Sequence, residues 1–322
     1  MKAYPIKFEP ILKERIWGGE KLINIFKKKS DKLNIGESWE ISDVEGDVSV
    51  VSNGLLKGQT LKDLIINFKE EFLGYKVYER FGDNFPVLIK FIDAKTPLSI
   101  QVHPNNELAK ERHNSFGKNE MWYVMDVDKD AELIVGFNQK VDEEKYVKAL
   151  NNGKVLDILN SEKTEKGDTF YIPTGRVHAI GAGIVLAEIQ QTSDVTYRIY
   201  DYERTDAAGN QRELHTELAL DAIDYNLYNN YKTTYQLKEN QSSELVHSPY
   251  FKTDIIQLTN QLEKNYEKLD SFVIYMCVEG SFTLECNNEL MMVNKGETVL
   301  LPASIKAVKL NSEQATLLEV YL

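Results

Sequence analysis

Long apolar runs are missing from this chain. No stretch approaches the ~20 residues that a membrane-spanning helix needs, and the opening residues, MKAYPIKFEP, hold no apolar core of a secretory leader. Cysteine is scarce, with only Cys277 and Cys286 in 322 residues. They form neither a CxxC pair nor a zinc-ribbon spacing. This argues against a disulfide scaffold or a thiolate metal cluster, and two reduced, partly buried thiols in a cytoplasmic protein are expected. Basic charge is also in deficit: Lys and Arg number 38 against 50 Asp and Glu, a formal net charge of -12. That balance argues against the broad cationic surface that nucleic acid or an anionic membrane requires. An anionic ligand would need a local cluster of cations working against the global field.

What is present is a sizeable apolar fraction, 42%, and many short alternating runs. Length alone points to about two domains. GESWEISD, DVSVVSNG, PVLIKFIDA, LSIQVHP, EMWYVMDV, AELIVGF, DTFYIP, IVLAEIQQ and VTYRIYDY all read as strands broken by turns. The period changes at residues 61–82, where Leu61, Leu64, Ile65, Phe68 and Phe72 fall at helical spacing. A short polar helix is expected at 105–114, two short helices within 142–160, and another in ELHTELALDAIDY. Residues 226–248 read as a polar loop, and strands resume from 249. The chain is therefore mainly β, a barrel or sandwich with its helices grouped in insertions.

One unit occurs twice. KGDTFYIPTGRVHAI (166–180) matches KGETVLLPASIKAVK (295–309) at Lys, Gly, Thr and Pro together, and the upstream runs starting at Glu120 and Phe272 match loosely. Two copies of one β unit imply two barrels from one chain. His178 of the first copy aligns with Ala307 of the second, and Glu120 falls near Phe272. The first barrel thus keeps polar groups that the second has lost, so the first is expected to carry the chemistry.

Strand parity identifies that chemistry. Residues i and i+2 share a face of a strand, so Ser99, Gln101 and His103 point together while Ile100 and Val102 point the other way. Three polar groups aimed into a barrel, facing Glu120 and His178, each cost about 1–3 kcal/mol if left unpaired, and one cation satisfies them all. Two neutral imidazoles and a carboxylate suit a catalytic zinc with an open position; the same set suits iron(II). His113, His215 and His247 lie in polar stretches and read as surface residues, His215 and His247 without partners nearby in sequence.

PLSIQVHPNNELA, GKNEMWYV, PTGRVHAIGAG and EIQQTSDVTYRIYDYER, with ERIWGGEKL and IGESWEIS nearer the start, together resemble the class I mannose-6-phosphate isomerases in their short bacterial form. The resemblance runs through essentially the whole chain. It implies a double cupin fold with helical insertions, divided into a catalytic domain at 1–235 and a degenerate C-terminal cupin without metal ligands at 236–322. It implies one zinc held by His103, Glu120 and His178 with Gln101, and interconversion of mannose 6-phosphate and fructose 6-phosphate through a cis-enediolate. Arg198 carries over as a catalytic arginine. Lys118 and Glu188 are alternative bases, Glu188 reading equally well as a hydrogen-bond partner that orients a ligand. Where the long forms of the family have RAGLTPK this chain has RIYDYER, so Arg204 stands in the lysine's place and is expected at the phosphate with Ser99. Lys90 and Arg176 read as further contributors or surface residues. The expected partner is a small sugar phosphate, with no nucleic acid or membrane, and the chain a monomer or homodimer. The rival readings are an iron(II) oxygenase, which needs no phosphate cradle, and a non-catalytic sugar-binding module, which needs no intact ligands.

Overall fold

The computed structural model describes residues 2–206, 208–287 and 289–322. Its first half is built from two facing sheets. A six-stranded sheet runs in the order Ile11–Gly19, Ile35–Ile41, Val87–Ala94, Ile184–Gln191, Glu120–Val127, Thr169–Ile172. A five-stranded sheet runs Tyr197–Tyr200, Ile100–Val102, His178–Ile180, Glu132–Phe137, Leu159–Lys163. Between them lies an apolar core that includes Trp17, Ile92, Trp122, Leu133, Phe170, Ile172, Ile180 and Leu186.

The central strands VLIKFIDA and IVLAEIQQ are buried along their whole length because both faces of the six-stranded sheet are covered. Its outer face, with Ile89, Phe91, Met121, Tyr123, Ala187 and Ile189, packs on Ile255, Ile274, Met276, Leu318 and Val320 of the second barrel. Ile100 and Val102 pack outside the five-stranded sheet with Phe137, Tyr146, Val155, Ala219 and Ile223. That leaves Gln101 free to face inward, as strand parity requires.

The C-terminal barrel is an eight-stranded sheet from Ser242–His247 to Ala315–Tyr321, closed around Tyr266, Tyr275, Phe282, Leu284, Val299 and Leu317. The repeat is physical. Thr169–Ile172 pairs with Glu120–Val127, and Thr298–Leu301 pairs with Val273–Cys286 in the same register. Gly167 and Gly296 turn the chain at φ +94 and +81, conformations that favour glycine. The register puts Val273, not Phe272, in the place of Glu120, because Leu301 pairs with Val273 as Ile172 pairs with Glu120.

Several boundaries differ from expectation. Residues 61–82 form two helices, Leu61–Leu73 and Tyr75–Phe81. The first is opened by a Thr60–Asp63 capping box, and the two are separated at Gly74, where a Cβ would meet the Asp270 carbonyl oxygen at 2.6 Å. Within 142–160 only Glu143–Asn151 is an α-helix, and Val155–Ile158 is one 3-10 turn. The helix in ELHTELALDAIDY shrinks to Thr216–Leu220, since backbone bonds tie His215 to Arg198 and Asp224 to Gly175 on either side. Ser242–His247, read as loop, is a strand. It buries only Leu245 and Val246 and gains its order from pairing with Lys252–Leu258. Cys277 and Cys286 are buried free thiols, and no helix among the described residues is long and apolar enough to cross a membrane.

Candidate active site and metal centre

Two cross-strand rows build the site. On the five-stranded sheet Arg198 pairs with Gln101, and Gln101 with His178. On the facing sheet the row is Trp39, Lys90, Glu188, Trp122 and Phe170. His103 follows the first row by two residues, and Glu120 starts the strand beside Ile184–Gln191. Pro104 ends the short strand and contributes a backbone carbonyl to Lys118 N–H at 3.4 Å.

His103, Glu120 and His178 converge, with one ligand atom of each within 4.8 Å of the others. His103 Nε2 lies 3.5 Å from Glu120 Oε2, and His178 Nε2 lies 3.3 Å from Glu120 Oε1. All three side chains are buried. Each imidazole is oriented from behind: His103 Nδ1 donates to the Val195 carbonyl at 3.0 Å and His178 Nδ1 to that of Arg176 at 2.8 Å. Both Nε2 lone pairs therefore face the carboxylate, as metal-bound histidines are arranged. His103 Nε2 and both Glu120 oxygens are buried with no hydrogen-bond partner. Acceptors orphaned in this way fit a cation, and the only lysine ammonium paired with the cluster among the described residues is that of Lys118, 3.4 Å from Glu120 Oε2. Gln101 Nε2 faces His178 Nε2 at 3.3 Å. A donor there occupies the lone pair that an ion needs, so with an ion bound the amide must turn its oxygen inward or withdraw.

Electrostatics follow from burial. Desolvation, reinforced by the Glu188 charge, pushes the Glu120 carboxyl up to about 8, against the pull of Lys118 and Lys90. Burial takes His178 down to about 4 and His103 well below its usual value. Without an ion the cluster is close to neutral at pH 7.

A cavity of about 490 Å³ lies beside this cluster; His103, Glu120 and His178 do not line it, but Gln101, Lys118 and Glu188 form part of its wall. Its charged lining holds five cations, Arg15, Lys90, Lys118, Arg198 and Arg212, against Glu14, Glu37, Glu188 and Asp194. The local excess of positive charge stands against the net -12 of the chain. Lys118 Nζ lies 3.4 Å from Glu120 Oε2. Glu188 has both oxygens occupied, Oε1 by Lys90 Nζ and Oε2 by Trp122 Nε1, each at 3.0 Å. Burial raises its pKa, but the Lys90 and Lys118 charges outweigh burial and the net shift is downward. Ser99 and Arg198 line the cavity; Arg204 does not.

Residue-family models match in two blocks, the catalytic domain of phosphomannose isomerase type I at residues 6–139 and the mannose-6-phosphate isomerase cupin domain at residues 241–322. The mannose-6-phosphate isomerase ManA of Bacillus subtilis is 36% identical over 96% of both chains. The mannose-6-phosphate isomerase of Streptococcus mutans is 34% identical over 95% of this chain and 94% of its own. The chain belongs to the type I phosphomannose isomerases. A crystal structure of the Bacillus subtilis mannose 6-phosphate isomerase superposes over 100% of both chains with a TM-score of 0.91 and 32% identity. The double cupin reading therefore holds, and the chain is an enzyme of the isomerase class.

Within this isomerase chain, several residues stand elsewhere than expected. Lys90 and Arg176 are buried. Lys90 belongs to the second row above, and the Arg176 guanidinium lies 4.1 Å from the Tyr228 ring centre. His215 and His247 do have partners: His215 Nδ1 accepts the Arg198 backbone N–H at 3.2 Å, and His247 pairs with Asp254 at 2.8 Å. The second barrel is not stripped of polar groups either. Val273 and Ala307 replace Glu120 and His178, but Glu319 pairs with Tyr275 as Glu188 pairs with Trp122. Glu319 is held by Tyr266, Tyr275, Lys264 and Ser242, so both of its oxygens are occupied. Glu37, Trp39, Arg15 and Arg212 were not singled out as site residues. The alternation of GESWEIS marks the first two as sharing a face, whereas nothing local marks the arginines.

Proposed function

We propose that this chain is a zinc-dependent aldose–ketose isomerase interconverting mannose 6-phosphate and fructose 6-phosphate, with one zinc per chain. The observation that carries the reading is the convergence of His103, Glu120 and His178, with His103 Nε2 and both Glu120 oxygens left without partners, beside a cavity walled by Gln101 and Lys118. Full-length likeness to mannose-6-phosphate isomerases supports the substrate. His103, Glu120 and His178 hold the ion, with Gln101 beside them. When bound, the ion supplies Lewis-acid stabilisation of negative charge on the substrate oxygens at C1 and C2.

The chain's own residues do the rest. The isomerisation moves the C2 proton to C1 and the O2 hydroxyl proton to O1, leaving a carbonyl at C2. Lys118, in the cavity wall beside Glu120, carries the carbon-bound proton. Glu188 is tied to Lys90 and Trp122 and acts as a fixed charge that positions them, not as the base. The Arg198 guanidinium stays charged and stabilises the cis-enediolate. Ser99 faces the phosphate end. Residues 1–235 form the catalytic unit and 236–322 a degenerate cupin that packs against it. The protein works in the cytoplasm, as a monomer or homodimer, on a free sugar phosphate.

The test is a measurement of bound metal together with fructose 6-phosphate formation from mannose 6-phosphate in a coupled assay. Zinc near one per chain with turnover supports the reading. A zinc-loaded protein that does not turn over overturns it.

A further inference from the structure

Arg204 was expected at the phosphate because it stands where the long forms of the family carry a lysine. The loop that follows Arg198 places it elsewhere. Tyr202 and Glu203 are both left-handed, at φ +55, and the tight turn folds Arg204 back onto its own loop. Its Nη1 donates to the Pro97 carbonyl and reaches Thr96 Oγ1 at 3.5 Å, its Nη2 binds Asp201 Oδ1, and its Nε points to the Asp201 carbonyl at 3.4 Å. Every nitrogen of Arg204 is engaged by protein, and the residue does not line the cavity.

The returning chain brings a different arginine in. A bridge joins Thr205 to Gln211, and His215 N–H donates to the Arg198 carbonyl at 2.7 Å. Arg212, three residues before that anchor, therefore lies beside Arg198 and lines the cavity. Asp201 grips it from behind, accepting from Nε at 2.7 Å and from Nη2. Nη1 has no protein partner among the described residues. Arg198 is similar: Nη1 donates to the Glu213 carbonyl at 2.7 Å, while Nε is buried without a partner. Three guanidiniums, Arg198, Arg204 and Arg212, thus gather around the Asp201 carboxylate, with Glu213 the other acid acting on Arg198. The Arg198 pKa is lowered by burial first and by Arg212 second. Such a cluster is short of negative charge, and an anionic group can accept from the guanidinium nitrogens left without partners.

We infer that Arg212, splayed into the cavity by Asp201, is the specificity residue that selects the phosphate monoester of the substrate. It does so with Arg198 and the Ser99 hydroxyl, while Arg204 serves as the strut that holds the loop to Pro97. The inference rests on the isomerase reading and assigns its phosphate end.

The experiment compares wild type, Arg212→Gln, Arg212→Lys and Arg204→Gln, by steady-state kinetics with mannose 6-phosphate and by calorimetric titration with inorganic phosphate. Losing a charge-assisted contact to phosphate should raise KM about 10- to 100-fold in Arg212→Gln. The fall in kcat should be smaller than the rise in KM, zinc content unchanged, and phosphate affinity reduced by the same factor as KM rises. Arg212→Lys should recover part of both, whereas a role confined to packing would recover nothing in phosphate binding. Arg204→Gln should lower Tm and affect KM less than Arg212→Gln does. A wild-type KM and phosphate affinity in Arg212→Gln overturns the inference, and so does a larger KM effect in Arg204→Gln. The calorimetry separates the two claims. Phosphate binding that depends on Arg212 in a wild-type protein without turnover would sink the isomerase reading and leave the anion site standing.

Discussion

Arg198 lies directly across from Gln101 on the neighbouring strand, and the row continues to His178. Neighbouring strands are about 4.8 Å apart, so the arginine stands roughly 10 Å from the metal-facing histidine, with the glutamine between. A guanidinium at that remove reaches substrate without entering the metal cluster. Arg198→Ala should therefore retain zinc, measured by metal analysis, while kcat falls by about 10²–10⁴ if it stabilises the enediolate. Loss of zinc in this variant would make Arg198 a structural residue instead.

Lys118 and Glu188 separate by the same logic. Glu188 is ion-paired with Lys90, both being almost fully buried. Glu188→Gln removes the ion-paired carboxylate of Lys90 and leaves Glu37 as its remaining strong charge partner, so the cost should stay below the about 3–5 kcal/mol of a fully broken buried pair. Denaturant unfolding should report that loss. Lys118→Gln should reduce kcat by about 10²–10⁴, the usual contribution of a proton-transfer group, whereas Glu188→Gln should lower kcat less than Lys118→Gln does. The reverse pattern would make Glu188 the base.

Glu37 should contribute to acid stability. Burial raises its pKa, but the charges of Lys90 and Arg15, with hydrogen bonds from Arg15 and Trp39, outweigh burial and hold it at about 2. A depressed carboxylate pKa adds stability above the unfolded value near 4.5. That contribution is lost as pH falls toward 2. The shift corresponds to about 3 kcal/mol. Unfolding free energy should decline between about pH 5 and pH 2, and Glu37→Gln should flatten that decline while lowering stability at pH 7. An unchanged slope would contradict the account.

Metal binding should release protons in a defined pattern. With Glu120 at about 8 and His178 at about 4 before the ion enters, only Glu120 carries a proton to lose at pH 7. Calorimetry in buffers of differing ionisation enthalpy should find about one proton released per zinc at pH 7. The number should fall toward zero above about pH 9, where Glu120 is already ionised. Release of two or more at pH 7 would mean that a further group, a histidine or a metal-bound water, also gives up a proton.

Local pattern made much of this site legible. Parity in LSIQVHP placed Ser99, Gln101 and His103 on one inward face, and the repeated KGDT/KGET unit exposed the two barrels. The Lys90–Glu188 pair was hidden because it depends on which strands become neighbours, and both residues sit in runs that otherwise read as apolar. Glu319 was hidden in the same way within the terminal run TLLEVYL. Arg212 could not be found from spacing, since closure of the loop between Arg198 and His215 decides which arginine meets the cavity. The short helix Thr216–Leu220 and the strand Ser242–His247 depart from local preference because pairing partners far along the chain, not their own side chains, order the backbone.

The central claim is that the His103–Glu120–His178 cluster holds the ion on which mannose 6-phosphate isomerisation depends. The most direct measurement is fructose 6-phosphate formation by one preparation before chelation, after chelation and after zinc is restored, with bound metal assayed at each stage. The account predicts turnover that disappears and returns in proportion to zinc, up to one per chain. Full activity in the metal-free protein, or none in the zinc-loaded one, would contradict it.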